Sequence, residues 1–166
     1  QATDSLKKAL DSLEPTDRFN IVDFDGGYQT LFKGAKLATP RMKSTALTFI
    51  ERIQADGGTE MLAPIAYALN SRDAESRHYL RQIVFITDGQ SGEEASLFAK
   101  VKSEINNDRF FTIGIGSAPN SYLLTKLADF GRGAYTYIGS QNEVSQKMNS
   151  LFEKLESPAL TDIKVN

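Results

Sequence analysis

The pattern of apolar and polar positions is clearest in the middle of the chain. Four consecutive apolar residues, Ile83 to Ile86, precede Thr87, Asp88 and Gly89. Three of the four are β-branched, and an apolar run without polar alternation is typical of a strand buried on both faces of a parallel sheet. Ligands of open α/β sheets bind outside the carboxyl ends of the strands. The pattern therefore predicts a central strand that presents Asp88 at the ligand-binding edge.

The rest of the chain alternates helical stripes with short strand-like runs. Helices are predicted over 2–14, 42–53, 65–69, 95–105, 120–129 and 144–155, and strands over 19–24, 28–32, 83–87, 110–115 and 134–138. Such alternation implies parallel strands joined by right-handed crossovers. The glycine pair Gly26-Gly27 favours a tight hairpin. The predicted fold class is α/β: a doubly wound, mostly parallel sheet with helices on both faces and one antiparallel edge strand.

Three of these helices are preceded by residues that favour helix starts. Thr39 stands before a first-turn proline. Ser91 with Glu94, and Ser140 with Glu143, match the capping box, in which each side chain accepts from a backbone N–H at the helix start. These signals predict helix starts just after Thr39, Ser91 and Ser140.

Composition narrows the classes of function. The 166 residues are 40% hydrophobic and 24% charged, which is ordinary for one globular domain. The net charge of −2 gives no electrostatic case for nucleic acid or an anionic membrane, and no apolar run is long enough for a membrane span. The absence of cysteine excludes disulfides and thiolate metal sites.

Three loops, in order, carry a family resemblance: Gly57-Gly58-Thr59, Ile86-Thr87-Asp88-Gly89 and Phe111-Thr112-Ile113-Gly114-Ile115-Gly116. Their order and spacing resemble a von Willebrand factor type A domain. The stretches 17–21, 57–62 and 131–138 are similar to the subgroup of inter-alpha-trypsin inhibitor heavy chains, in its bacterial envelope version. The resemblance covers residues 1–158, and 159–166 are expected to begin a following strand or linker.

The resemblance implies a metal-ion-dependent adhesion site at the carboxyl edge of the sheet. Thr59 matches the family's second metal loop and Asp88 its third. Oxygen donors of this kind suit Mg²⁺, or Mn²⁺ or Ca²⁺. An acidic side chain of a protein partner would complete the coordination, and Gln90, Ser91 and Glu93 would border the partner surface.

The chain departs from the family in its first strand. No aspartate is followed by serines at the second and fourth positions. The resemblance places Gln1 inside the helix that follows that motif in the family. The fold is therefore expected to be N-terminally truncated, with the central strand and the Asp-x-Ser-x-Ser loop missing and little or no metal bound by this fragment. A sheet without that strand exposes two rows of unpaired backbone groups.

Three arrangements of the open sheet follow. The strand belongs to the parent protein and is absent here; or a neighbouring chain or the tail Leu160–Val165 fills the space; or the two halves pair directly. Pairing between Ile21 and Val84 would identify the third arrangement. The unpaired edges also raise the expectation of a homodimer.

The preferred hypothesis is a non-enzymatic protein-binding or adhesion module of a protein at the cell surface, in the periplasm or secreted. Its metal dependence would belong to the intact domain. A separate, purely structural hypothesis stays open, in which the fragment is a scaffold whose metal site is inactive because its first loop is absent. Neither nucleic acid nor a membrane is expected as a partner.

The alternative is an enzyme. Asp23 and Asp25 nearly match the strand-end Asp-x-Asp-Gly-Thr pattern of haloacid dehalogenase-like phosphohydrolases, in which one aspartate attacks phosphorus and the other is the acid and base. Gly27 stands where that pattern has a threonine or valine. His78, the sole histidine, lies in a polar connection and is interpreted as a surface residue.

Overall fold

The structure, a computed structural model, describes residues 2–53, 60–72, 74–76, 78–88 and 91–156. Its helices are α1 (Ala2–Ser12), α2 (Pro40–Glu51), α3 (Leu62–Asn70), α4 (Glu94–Glu104), α5 (Ser121–Phe130) and α6 (Val144–Glu156). Its strands are β1 (Arg18–Phe19), β2 (Val22–Phe24), β3 (Tyr28–Thr30), β4 (Lys36–Leu37), β5 (Gln82–Thr87), β6 (Arg109–Ile115) and β7 (Arg132–Ile138). None of the described helices is long and apolar enough to cross a bilayer.

Three parallel strands form the main sheet, in the order β5-β6-β7. Phe110 belongs to an apolar cluster that includes side chains of α3, α4 and α5, and Phe111 belongs to a second cluster with side chains of α6. Adjacent residues of a strand point to opposite faces, so these clusters lie on the two sides of the sheet. The predicted α/β class, with helices on both faces of a parallel sheet, is confirmed.

The first predicted strand, 19–24, is broken at Asn20. Its side-chain Oδ1 accepts from the backbone N–H of Ile21 at 2.9 Å and of Phe32 at 3.0 Å, and its Nδ2 donates to the Phe32 carbonyl at 2.9 Å. The side chain thus takes the place of a backbone partner. The strand divides into β1, which pairs with β4, and β2, which forms the predicted antiparallel hairpin with β3.

The antiparallel hairpin and the parallel sheet are separate sheets in the structure. Within the described residues β2 pairs only with β3 and β5 only with β6, so no backbone hydrogen bond joins the hairpin to the parallel sheet. The Ile21 carbonyl accepts from Leu31 N at 2.9 Å, on the hairpin's own side. Direct closure of the two halves is therefore not observed. The tail Leu160–Val165 lies outside the described residues.

The helix starts agree with the sequence only in part. Thr39 caps α2 and accepts from Met42 N at 3.3 Å, as predicted. The capping box at Ser91 is wrong, because α4 begins at Glu94 after an N-cap residue that makes no side-chain cap bond.

The second predicted capping box is also incomplete. The Ser140 side chain makes no cap bond, and a 3₁₀ turn over Gln141–Glu143 precedes α6. The Glu143 carboxylate instead accepts from Gly139 N at 3.0 Å. One of the two hydrogen bonds of a capping box is therefore present, the one accepted by the glutamate carboxylate, but its donor is Gly139 N instead of Ser140 N.

A buried ion cluster joins the elements at the amino edge of the main sheet. The Asp108 side chain is 2% exposed and pairs with Arg72, which follows α3, and with Arg81, which precedes β5. Arg81 Nε donates to Asp108 Oδ2 at 2.8 Å, and its Nη2 donates to the Leu69 carbonyl. This cluster fixes the start of β5 and hence the position of the residues at its far end.

Candidate functional site

Asp88 lies where the sequence predicts, directly after β5 at the carboxyl edge of the parallel sheet. Its side chain is exposed, whereas the preceding Thr87 is buried. The next strand ends at Ile115, and Gly116 turns the chain with a positive φ of 93°. The Tyr137 hydroxyl donates to the Gly116 carbonyl at 2.9 Å and so ties the loop after β6 to β7.

The predicted metal-loop residue Thr59 lies outside the described residues, as do Gly57, Gly58 and Gly89. The structure does describe the residue that follows Thr59. Glu60 N donates to the Asp25 carbonyl at 3.1 Å, in the turn that closes the β2–β3 hairpin. Glu60 is therefore held at the carboxyl end of β2.

Two of the three predicted partner-surface residues are described, and both are near the start of α4. Ser91 Oγ accepts from Glu93 N at 3.1 Å, which closes a short turn. Glu93 is exposed and is the N-cap residue of α4. Gln90 lies outside the described residues.

A polar bond links the loops after β5 and β6. Asn120 Nδ2 donates to Glu94 Oε1 at 2.6 Å, and Asn120 Oδ1 accepts from Leu123 N at 3.0 Å as the cap of α5. Glu94 is engaged with this neighbouring loop, which explains why it makes no capping box with Ser91. The side chains at the two helix starts thereby hold the loops in a fixed relation.

An open crevice of about 640 Å³ brings the two metal-loop neighbourhoods together. Its lining comes from α3, from α4 and from the loops before them: Glu60, Leu62, Ala63, Ala66, Ser91, Gly92, Glu93 and Lys100. Glu60 follows Thr59 in the chain, and Ser91 is three residues beyond Asp88. The segments flanking both predicted metal residues therefore line one space.

Lys100 and Glu60 line the crevice, and no sequence pattern predicts a site role for either of them. Lys100 Nζ donates to Glu104 Oε1 at 2.9 Å, and Asn70 Nδ2 donates to Glu104 Oε2 at 2.8 Å. The bond from Lys100, reinforced by that from Asn70, lowers the pKa of the Glu104 carboxyl. The i, i+4 spacing of Lys100 and Glu104 predicts that they pair on one helix face. No pattern of neighbouring residues predicts the crevice.

The donors at this edge have the right chemistry for a hard divalent cation but are too few. Asp88 supplies a carboxylate and Ser91 a hydroxyl, both oxygen donors of the kind that Mg²⁺ prefers. Within the described ranges no three carboxylate or imidazole side chains come together as a metal-binding group. The described residues therefore do not by themselves fit a tightly held ion.

The carboxylates of the enzymatic alternative have partners within the hairpin. Asp23 Oδ2 accepts from Gln29 Nε2 at 2.9 Å on the paired strand. Asp25 Oδ1 accepts from Gly27 N at 3.1 Å, which is the usual side-chain bond of a turn aspartate. His78 is exposed, as predicted.

With the fold and this edge described, comparison with known proteins decides the family. A family model described as the von Willebrand factor type A domain matches residues 1–137. The chain belongs to the von Willebrand factor type A family. A von Willebrand factor A domain-containing protein of Dictyostelium discoideum is 31% identical over the whole of this vWA chain. A mouse relative, von Willebrand factor A domain-containing protein 5B1, is 28% identical over 98% of it.

The chain covers 20% of the length of that Dictyostelium relative and 13% of the mouse protein. The chain therefore corresponds to one part of these larger proteins, so the activities of the whole proteins are not assigned to it.

Solved structures show the same fold at lower identity. A von Willebrand factor type A protein from Catenulispora acidiphila superposes with a TM-score of 0.79 at 22% identity, over 90% of this chain and 36% of its own. BatB from Bacteroides thetaiotaomicron superposes with a TM-score of 0.77 at 18% identity, over 95% of this chain and 87% of its own. Proximal thread matrix protein 1 of the mussel byssus superposes with a TM-score of 0.68 at 19% identity, over 90% of this chain and 40% of its own. That structure was solved with a zinc-occupied MIDAS motif.

Proposed function

We propose that this vWA chain is a non-enzymatic protein-binding module that contacts its partner at the carboxyl edge of the parallel sheet. The crevice between α3 and α4 carries the proposal. It runs from the edge where α/β sheets bind their ligands into the groove between the two helices, and its lining combines apolar α3 residues with Glu60, Glu93 and Lys100. Ser91 and Glu93 border the contact surface, together with Gln90.

A divalent cation is the second part of the proposal. Thr59 and Asp88 contribute oxygen ligands to Mg²⁺, Mn²⁺ or Ca²⁺ once further donors are supplied by an Asp-x-Ser-x-Ser loop joined ahead of α1. The exposure of Asp88 at the strand end supports this role. A cation held by few carboxylates stays electrophilic, so it attracts an acidic side chain of the partner. The chain as given retains at most weak metal affinity.

The subgroup and location are proposed from resemblance. The motifs favour the inter-alpha-trypsin inhibitor heavy chain-like subgroup in a bacterial protein of the cell surface, the periplasm or the secreted fraction. A fold match to a protein described as an aerotolerance-related membrane protein of Bacteroides fragilis is in keeping with an envelope location. Residues 1–158 form the domain, with 159–166 leading onward.

Isothermal calorimetry with Mn²⁺ tests the metal proposal. We expect no measurable binding to the chain as given and stoichiometric binding to a version extended by a strand and an Asp-x-Ser-x-Ser loop. Asp88→Ala should abolish that binding, whereas Asp129→Ala, an exposed carboxylate near the end of α5, should not. Equal binding by the extended protein and its Asp88→Ala variant would refute the assignment.

The protein-binding role has its own probe. A peptide with one central aspartate should bind the Mn²⁺-loaded extended protein, and the same peptide with asparagine should bind at least about tenfold more weakly, because the neutral amide is the poorer metal ligand. Hydrolysis of p-nitrophenyl phosphate, lost in Asp23→Asn, would instead support the phosphohydrolase.

A further inference from the structure

Four arginines surround Asp108 at the amino edge of the main sheet. The Asp108 carboxylate pairs with Arg72 and Arg81, and its backbone carbonyl accepts from Arg132 Nη2 at 2.8 Å. Arg109, the next residue in the chain, donates from Nη1 to the Arg132 carbonyl at 3.0 Å. We call these four residues the arginine cluster, because each of them is bonded to Asp108 or follows it directly.

The charge of the arginine cluster exceeds the charge of its described partners. Asp108 supplies one carboxylate, and that group already receives the guanidinium fork of Arg81, whose Nε donates to Oδ2 at 2.8 Å. Among the described residues Arg109 and Arg132 donate to backbone carbonyls and to no carboxylate. Glu104, at the end of α4, is engaged in its own ion pair within that helix. The cluster is therefore strongly cationic although the whole chain has a net charge of −2.

Donors of the cluster remain available for a ligand. The Arg72 side chain is 35% exposed, and it spends one terminal nitrogen on Asp108. Arg109 is half-buried and Arg132 is exposed. The Nη1 of Arg81 is buried with no hydrogen-bond partner among the described residues, which is costly for a charged donor. The cluster's contacts within the chain therefore leave guanidinium donors unused.

Exposed apolar side chains stand next to the cluster. Tyr79 and Leu80 directly precede Arg81 in the chain and are 42% and 43% exposed. Arginine and tyrosine are enriched in protein–protein interfaces, and arginine binds carboxylates through two parallel hydrogen bonds. The surface therefore has the composition of a contact for a peptide that carries both acidic and apolar side chains.

Backbone carbonyls at this edge weaken its attraction for a polyanion such as RNA or a sulfated glycan. The Leu69 carbonyl at the end of α3 accepts from Arg81, and the Asn106 carbonyl after α4 accepts from Arg132. Helix carboxyl ends carry partial negative charge. Short-range binding of individual carboxylates is therefore favoured over long-range attraction of a densely charged polymer.

We propose that the arginine cluster, with Tyr79 and Leu80, is a docking surface for an acidic peptide segment of a partner protein. Arg72, Arg109 and Arg132 bind carboxylates of the segment, and apolar side chains between those carboxylates contact Tyr79 and Leu80. The surface lies at the opposite end of the strands from Asp88, so it is separate from the cation and from the crevice.

An NMR titration of the ¹⁵N-labelled chain in EDTA tests this surface without any metal. The probe is acetyl-Asp-Leu-Asp-Phe-Asp-amide, and the control peptide has asparagine in place of each aspartate. We expect the probe to cause saturable shifts in the amide signals of 80, 107–109 and 132–133, and its affinity to fall at high salt. The control peptide should bind at least about tenfold more weakly, because it has no charged acceptor. Equal binding of both peptides, or shifts centred on 87–92, would overturn the proposal.

Arg72→Gln and Arg109→Gln test the donors. Both variants leave the pairing of Arg81 with Asp108 in place, so each should remain folded. We expect each to bind the probe at least about fivefold more weakly, because a charge-assisted contact is lost. Arg52→Gln, at an exposed arginine after α2, is the matched control and should change the affinity by less than about twofold.

Arg109→Lys separates the shape of the guanidinium from its charge. Lysine keeps the charge without the planar fork, so the affinity should lie between those of the unaltered chain and Arg109→Gln. Thermal unfolding verifies the fold of each variant, and Arg109→Gln decides the matter if Arg72→Gln is destabilised. Unchanged affinity in folded Arg109→Gln would overturn the proposal. Tighter binding of an RNA oligonucleotide or of heparin at the same residues would also overturn it.

Discussion

Phe24 and Phe85 stack face to face, with ring centroids 5.3 Å apart and ring planes inclined by 10°. They belong to strands that no described backbone hydrogen bond connects. Phe85 also lies 6.1 Å from the Phe110 ring, centroid to centroid, and so joins this stack to the core of the parallel sheet. The two halves of the molecule are therefore held together by side-chain packing at a point where a sheet ordinarily relies on its backbone.

Truncation of this stack should destabilise the fold. A fully buried Phe→Ala change costs about 3–5 kcal/mol, and since Phe24 is half-buried we expect Phe24→Ala to lower the free energy of unfolding by about 2 kcal/mol. Phe24→Leu, the control, retains apolar volume and should lose less. Urea denaturation followed by circular dichroism measures both, and equal losses in the two variants would contradict a role for the ring.

A double-mutant cycle isolates the contact between the rings. Phe24→Leu combined with Phe85→Leu should give a coupling energy of about 0.5–1.5 kcal/mol, the usual range for aromatic pairs. A coupling near zero would mean that each ring acts only through its neighbours in the core.

Asn20 should be necessary for the hairpin. Asn20→Ala removes three hydrogen bonds to Ile21 and Phe32, so we expect a loss of about 1–3 kcal/mol in the free energy of unfolding. Asn20→Asp keeps the oxygen that accepts from Ile21 N and Phe32 N, but it replaces the donor by a second acceptor that faces the Phe32 carbonyl, so we expect it to preserve two of the three bonds. Hydrogen exchange at the Phe32 amide should speed up in Asn20→Ala more than in Asn20→Asp, and the reverse order would contradict the assigned bonds.

Among the described residues Asp108 is the one charged side chain that is buried. Asp108→Ala leaves Arg81 and Arg72 without their buried partner, and breaking such a pair costs about 3–5 kcal/mol. Thermal and urea unfolding should both show this loss. Asp129→Ala, at an exposed carboxylate, is the matched control and should change stability by no more than about 0.5 kcal/mol. Similar stabilities of the two variants would contradict the cluster's role.

The ion pair of Lys100 with Glu104, beside the crevice, makes the stability of the fold depend on pH. Because the pKa of Glu104 is lowered in the folded chain, its contribution to stability is present above the carboxyl's ordinary pKa and is lost as the pH falls through the folded value. A carbon-detected NMR titration should show this low pKa. Lys100→Met removes the largest cause and should raise the pKa of Glu104, whereas Lys126→Met, on α5, should leave it unchanged.

Elements set by local periodicity could be predicted from the sequence, and elements set by distant partners could not. The run at Ile83–Ile86 and the opposite faces of Phe110 and Phe111 follow from side-chain spacing, and both agree with the structure. The break at Asn20 depends on a side chain that competes with the backbone, which no alternation pattern records.

The cap predicted at Ser91 failed for a related reason. Glu94 has the spacing of a capping-box residue, but its carboxylate binds Asn120, 26 positions away in the chain. The ion pairs of Asp108 with Arg72 and Arg81 likewise join distant residues. At the candidate site the position of Asp88 was predictable, whereas the crevice residues Glu60 and Lys100 come together only through tertiary packing.

Paramagnetic broadening by Mn²⁺ tests the proposed cation site most directly. The sample is the ¹⁵N-labelled chain extended ahead of α1 by a strand and an Asp-x-Ser-x-Ser loop. We predict that substoichiometric Mn²⁺ broadens the amide signals of 58–61 and 87–92 together, and that Asp88→Ala removes this broadening while Asp129→Ala preserves it. Broadening centred on other residues, or unchanged in Asp88→Ala, would contradict the proposal that Thr59 and Asp88 share one cation.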